Sequence, residues 1–237
     1  MTISRKLTEQ SSTAAFPHDA LAVVLQVRDG ALQVLLWQRA QEPFLGAWAL
    51  PGGQLGPGET LETSIRRHLA EKVDVRELSH LEQLETRSDP RRHPERRQIA
   101  TAYLGLVPAH VDPAIPGDTA WHPVAHLPET AFDHGAIVLA GRERLRAKLS
   151  YTNIGFALAP PEFTISELRS LYGAALGYDV SATNLQRILL RRRLLEPTGE
   201  QRAPGRAGGR PGAVFRFRTR ALEVTDQFAV LRPPGGR

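Results

Sequence analysis

Cysteine is absent from this chain of 237 residues, which rules out disulfides and any thiolate-held metal. Lysine is nearly absent too: it stands only at positions 6, 72 and 148, although lysine and arginine together number 30. Positive charge is therefore carried by arginine, and a lysine inside a motif stands out. No run of about 18 uncharged apolar residues occurs, so no segment reads as a membrane-spanning helix. The first residues lack the short apolar core of a secretory signal, and the expectation is a soluble, cytoplasmic protein. Metal-type clusters are scarce. His122 and His126 have helical spacing, but Pro123 between them and the lack of further ligands favour a loop pair over a zinc site.

The length suits two modest domains, with a boundary expected near Leu149 to Thr152. Residues 1–18 are polar and aperiodic and read as a mobile tail. The expected units are then 19–150 and 151–237. Charge is divided unevenly between them. From Ser181 to Arg220 there are ten arginines and only Glu196 and Glu200, a net of +8, so the rest of the chain sums to −3 of the overall +5. A field so concentrated is the footprint of a polyanion-binding surface, because neutralising phosphates releases their counterions.

In the first unit, two strand-like runs, Ala20 to Val27 and Ala31 to Trp37, flank Arg28-Asp29-Gly30, where Asp-Gly signals a hairpin. Then comes Gly53 to Val75, GQLGPGETLETSIRRHLAEKVDV. Its loop glycines lead into a helix expected from Glu59 to about Lys72. Positions 68, 71 and 72 lie three and four apart, so they share one helix face and can converge on a ligand. Arg67 and Glu71 can pair along the helix. A strand is expected from Gln98 to Val107.

In the second unit, Phe163 to Tyr172 reads as a capped helix. Thr164 is its N-cap, Glu167 follows three residues later, and Ile165, Leu168, Leu171 and Tyr172 recur at helical spacing. Gly177-Tyr178-Asp179 makes a turn, and Ser181 caps a second helix with Leu185, Ile188 and Leu189 as its apolar stripe. Helix, short turn and second helix is the helix-turn-helix plan, whose second helix enters the major groove. Glu196-Pro197-Thr198-Gly199 reads as a breaker, followed by a Gly/Arg-rich loop and a strand from Ala213 to Arg218. This resembles a wing. Asn184, Gln186 and Arg187 suit base-edge contacts, because amide and guanidinium groups match adenine and guanine edges bidentately. Arg191, Arg202, Arg206 and Arg210 suit phosphates. An RNA or an acidic protein is the other partner class such a surface can hold.

The run from Gly53 to Val75 has the frame of a Nudix box, G-x5-E-x7-R-E-U-x-E-E-x-G-U with U an aliphatic residue. The approach through Gln38-Arg39 and Pro43 to Gly53 resembles that of Nudix proteins. Asp89-Pro90-Arg91, Ala120 to Val124, Leu127-Pro128 and Ala131 to His134 resemble the ADP-ribose-processing branch. With the second unit, the chain from Ala20 to Arg218 resembles the NrtR family, the Nudix-related transcriptional regulators of NAD metabolism. That resemblance implies an α/β fold: a Nudix α/β/α sandwich with a mixed sheet, followed by a winged helix-turn-helix.

It also implies binding to double-stranded operator DNA, repressing genes of NAD synthesis or salvage and released by ADP-ribose, with no cofactor; a palindromic operator needs two recognition helices and two wings, so a homodimer is expected. Two box positions depart from the pattern. Where the family has carboxylates for a hard divalent cation, this chain carries His68 and Lys72, and only Glu71 of the three remains. Asp74 replaces the helix-ending glycine, a mild change for a residue that tolerates left-handed backbone.

The expected reading is a pocket that binds without cleaving, and no metal site. Arg39, Gly52, Gly53, Arg67, His68, Glu71 and Lys72 would hold the diphosphate, with Lys72 as a fixed charge in place of a metal. The alternative is an active ADP-ribose pyrophosphatase using Glu71 with Glu59, Glu62 or Glu85. In the second helix the family often has further basic residues where this chain has Thr183, Gln186 and Ile188, so its operator is expected to differ.

Overall fold

A computed structural model describes residues 15–203 and 211–226. β1 (His18–Arg28) and β2 (Ala31–Gln38) form the expected hairpin. Its turn residues Asp29 and Gly30 both have positive φ, 50° and 75°, as the primed turns that match strand twist require. β1 also pairs in parallel with β6 (Ile99–Leu106), which pairs antiparallel with β5 (His80–Arg87). The mixed sheet runs β3-β2-β1-β6-β5, with β4 (Gly52–Gln54) on β1 and β7 (Thr119–Pro123) on β2; β3 is Trp48–Ala49.

β1 is buried on both faces, so its apolar residues serve two layers. Ala20, Ala22 and Val24 meet Ile65 and Leu69 of α1 (Leu61–Lys72). Leu21, Val23 and Leu25 face α2 (His134–Tyr151), through Ile137, Val138, Leu145 and Leu149. Gly141 lets α2 approach closely, since a Cβ there would come within 2.8 Å of Val23 Cγ1. The helix expected from Glu59 starts at Leu61: Thr60 caps it, accepting from Thr63 N at 3.1 Å, while Glu59 turns back to accept from Gly56 N at 2.9 Å. The expected domain boundary falls at the C-terminal end of α2.

Beyond it, α3 (Ile165–Leu176) begins with a full capping box between Thr164 and Glu167 and ends at Gly177, φ 80°. α4 (Ala182–Arg191) is capped by Ser181, which accepts from Asn184 N. A three-stranded sheet in the order β8-β10-β9 completes this unit: β8 is Phe163–Thr164, β9 is Leu195–Arg202 and β10 is Gly212–Phe217.

The breaker expected at Glu196 to Gly199 is corrected. β9 runs through Pro197, which lies opposite Phe215. β9 is an edge strand, where a residue without an N–H costs no ladder bond. The expected loop pair of histidines is also corrected: His122 is in β7 and His126 ends a short 3-10 turn, Val124–His126.

The two units share one core. The residues under α2 continue without a break into Phe156, Phe163, Leu168, Tyr172, Leu189 and Phe217. Each large side chain fully buried there contributes roughly 2–3 kcal/mol, so the units are held together by packing as well as by the chain. No helix among the described residues is long and apolar enough to cross a membrane.

Candidate functional site

A cavity of about 530 Å³ opens between β1, β4, the loop after β2, the 92–98 segment and the start of α2. β4 can lie close on β1 because residue 52 is glycine: its φ is 151°, and a Cβ would sit 2.2 Å from Ala20 O. That approach brings the end of α1 to the cavity. Lys72, in the last turn of α1, donates from Nζ to Gly52 O at 2.7 Å and lies 4.8 Å from the centre of the Trp37 ring. It is half-buried, and burial lowers its pKa while the Asp19 charge opposes that shift. Asp19 accepts from Gln98 Nε2 across the neighbouring strands, and burial raises its pKa.

Arg39, Arg92 and Arg96 line the same cavity as Lys72. Arg39 lies 4.7 Å over the Phe132 ring, a cation–π contact. Phe132 is held at φ 52°, with His93 stacked on it at 5.2 Å and Phe44 edge-on at 4.9 Å. Arg92 is almost wholly buried and pairs with Asp133 at 2.9 Å. His134 accepts at Nδ1 from Leu50 N, 3.0 Å away, so its proton is on Nε2. Complete burial drives its pKa down to about 3, so the ring is a neutral donor across the physiological range. Four cations, an aromatic wall and a neutral donor suit an organic phosphate with a ring attached.

Of the seven expected ligand-holding residues, Arg39, Gly52, Gly53 and Lys72 line this cavity, whereas Arg67, His68 and Glu71 are off its wall. Arg67 forks onto Glu59 at 2.6 and 2.8 Å and reaches Glu71 at 3.2 Å; the Arg67 hydrogen bonds hold the Glu59 pKa at about 2. His68 is buried beside Gly53, with Nε2 3.1 Å from Gln54 O, and burial lowers its pKa. These three residues brace the loop behind the wall. Sequence reading passed over Asp19, Arg92, Arg96 and Gln98 as site residues; for the last three the signal was the charged run before β6, while Asp19, at the start of β1, had none. Phe132 and His134 did lie in a stretch singled out above.

A second surface lies on α4. Thr183, Asn184, Arg187 and Arg191 are exposed and Gln186 is half-buried. Asn184 Oδ1 accepts from Arg187 Nη2 at 2.7 Å, so the two present a joined amide–guanidinium edge. Arg202, expected at phosphates, is forked onto Glu167 at 2.8 and 2.9 Å. That pair is exposed and weak enough to exchange for a phosphate. Arg206 and Arg210 lie outside the described residues.

The chain is similar to known proteins in both halves. The NUDIX domain model matches residues 17–140, and the NrtR DNA-binding winged helix domain matches 155–217. The ADPR responsive transcriptional repressor NtrR of Acinetobacter baylyi is 28% identical over 201 residues, spanning 82% of this chain and 79% of that protein. An ADP-ribose pyrophosphatase of Methanocaldococcus jannaschii is 30% identical over 131 residues, 51% of this chain and 72% of that enzyme. Among solved structures, NrtR of Shewanella oneidensis complexed with a 27mer DNA is 33% identical with a TM-score of 0.73. That match covers 85% of this chain and 93% of that one.

Proposed function

The chain belongs to the Nudix family, in its NrtR branch, and we propose that it is a repressor that binds operator DNA through α4 and the wing and is released by ADP-ribose seated in the Nudix cavity. The regulated genes are those of NAD synthesis or salvage, as the family resemblance implies. Residues 19–150 form the effector unit and 151–237 the DNA-binding unit. Two recognition helices suit a two-fold operator, so the active form is a homodimer.

The observation that carries this reading is Lys72 Nζ on the cavity wall, bonded to Gly52 O, at a box position where the family has a carboxylate. Arg39, Arg92 and Arg96 join it in meeting the diphosphate, and the Phe132 wall meets a ring. A divalent cation does not fit the donors present. Arg67 claims both Glu59 and Glu71, His68 Nε2 is engaged with Gln54 O, and the Lys72 ammonium repels a cation. The protein therefore holds its nucleotide without a metal and without cleaving it.

Titration calorimetry with ADP-ribose in chelator tests this: binding should persist, and a requirement for magnesium would defeat the metal-free reading. Gel shifts with the chain's own upstream DNA should show a complex that ADP-ribose dissolves. Persistence of that complex at saturating ADP-ribose counts against release.

A second reading, an ADP-ribose pyrophosphatase with an appended DNA-binding unit, is favoured by the likeness to the Methanocaldococcus enzyme and by the retained Glu59, Arg67 and Glu71. Turnover of ADP-ribose with magnesium or manganese at an ordinary enzymic rate would replace the sensor reading by this one.

A further inference from the structure

α2 touches the cavity at one end and the recognition helix at the other. Its first residue, His134, is on the cavity wall. Asp133, at its N-cap, makes no side-chain cap bond; its carboxylate is taken by Arg92, Nη2 to Oδ1 at 2.9 Å. Eighteen residues, about 27 Å at 1.5 Å each, lead to the opposite end. There Ser150 O accepts from Arg192 Nη1 at 2.8 Å.

Arg192 is the C-cap residue of α4. Sequence reading counted it with the polyanion-binding arginines, yet it turns inward. Its side chain is 14% exposed, and Nη2 pairs with Asp226 at 2.9 Å. The segment bearing Asp226 is itself tied to the end of α2: Thr225 N donates to Tyr151 O at 2.8 Å, and Glu223 N to Asn153 Oδ1 at 2.7 Å. Along its length α2 packs closely on β1, where Gly141 rests on Val23. Arg146 Nε adds a 3.4 Å bond to Ala175 O of α3.

We infer that α2 is the strut that couples the cavity to the recognition helix, with Asp133 and Arg192 as its two positioning residues. This inference rests on the repressor reading above. An anionic ligand competes with Asp133 for Arg92, since both are oxyanions seeking one buried guanidinium. Asp133, released, is at a helix N-terminus where its negative charge is favourable, so the exchange changes what holds the first turn of α2. A packed helix responds by shifting as a unit between discrete positions, and the Ser150–Arg192–Asp226 junction carries that shift to the end of α4. Neither positioning residue need touch ligand or DNA.

The test is a coupling ratio: the operator Kd by fluorescence anisotropy with saturating ADP-ribose, divided by the Kd without it. Full-length wild type should give a ratio of about ten or more, a typical allosteric magnitude. DNA should weaken ADP-ribose binding by the same factor, as linkage requires. Arg192→Gln should bring the ratio below about three, with ADP-ribose affinity of the DNA-free protein within about twofold of wild type; Arg192→Lys, which keeps the charge on Asp226 but lacks the fork that also reaches Ser150 O, should restore it only in part. Asp133→Asn, at the other end, should lower the ratio likewise and serves as the deciding variant if Arg192→Gln does not fold. Wild-type ratios in folded Arg192→Gln and Asp133→Asn overturn the strut and leave the repressor reading standing. A ratio of one in wild type overturns the repressor reading itself, and the strut with it.

Discussion

In the cavity, Lys72 is half-buried against Trp37 and Arg92 is almost wholly buried beside Asp133; on α4, Arg187 and Arg191 stand in solvent. All four are full positive charges, but they work in different media. Two charges 4 Å apart interact by about 1 kcal/mol in bulk water and about 4 kcal/mol at the effective dielectric near a protein surface. A few enclosed cations can therefore select a small anion, while an exposed surface needs many contacts, each screened by salt. One chain thus handles a nucleotide and a nucleic acid with the same chemistry at two depths.

Salt gives the largest expected separation. Raising it from about 50 to 200 mM should weaken operator binding on the order of a thousandfold if six or more phosphates are engaged, with ADP-ribose affinity changing far less. Anisotropy and calorimetry in matched buffers measure the two, and parallel slopes would erase the distinction.

Next comes Lys72→Met, which keeps the stem and removes the charge. In chelator it should cost roughly a hundredfold in ADP-ribose affinity and leave operator affinity unchanged. An unaltered calorimetric Kd would show that the lysine is not a ligand contact.

The enclosure of the cavity also has a pH signature. His134 takes up a proton near 6.5 when unfolded and near 3 when folded. Between those values the unfolded chain binds more protons, so the stabilisation present above pH 6.5 is lost as the pH falls toward 3, by up to about 1.4 kcal/mol per pH unit. Urea midpoints at pH 7 and 5 should fall by more in wild type than in His134→Gln. Equal slopes would mean that the ring is not as dry as its surroundings indicate.

On the exposed side, Arg187→Ala should weaken operator binding about tenfold while sparing non-specific DNA. Arg191→Ala should weaken both alike and reduce the salt slope by about one. Equal loss of specificity from the two would dissolve the division between base and phosphate contacts.

The elements that were legible in the sequence rest on local rules. Asp29-Gly30 makes a hairpin turn whatever the strands later pack against, and Thr164 with Glu167 makes a capping box from four consecutive residues. Pro197 was misread because a proline breaks a central strand but not an edge, and edge position is a property of the sheet. His68 and Lys72 look equivalent on a helical wheel. One nevertheless lies beside Gly53 and Gln54, off the cavity wall, and the other reaches Gly52 on that wall, because the two meet β4 at different residues along it.

From the sequence alone came the family frame, the two replaced carboxylates, the β1–β2 hairpin, β6, β10 and helices α1, α3 and α4, and the concentration of arginine in the second unit; α2 and the strands β3, β4, β5 and β7 came only with the fold. Only the folded chain decided which charges meet. Arg92 joins Lys72 at one cavity because β6 pairs in parallel with β1, and Arg192 leaves its arginine neighbours to grip the end of α2. Periodicity and capping report which side of an element is buried; what it is buried against depends on contacts between residues far apart in the chain, and those exist only once the sheet has set its order.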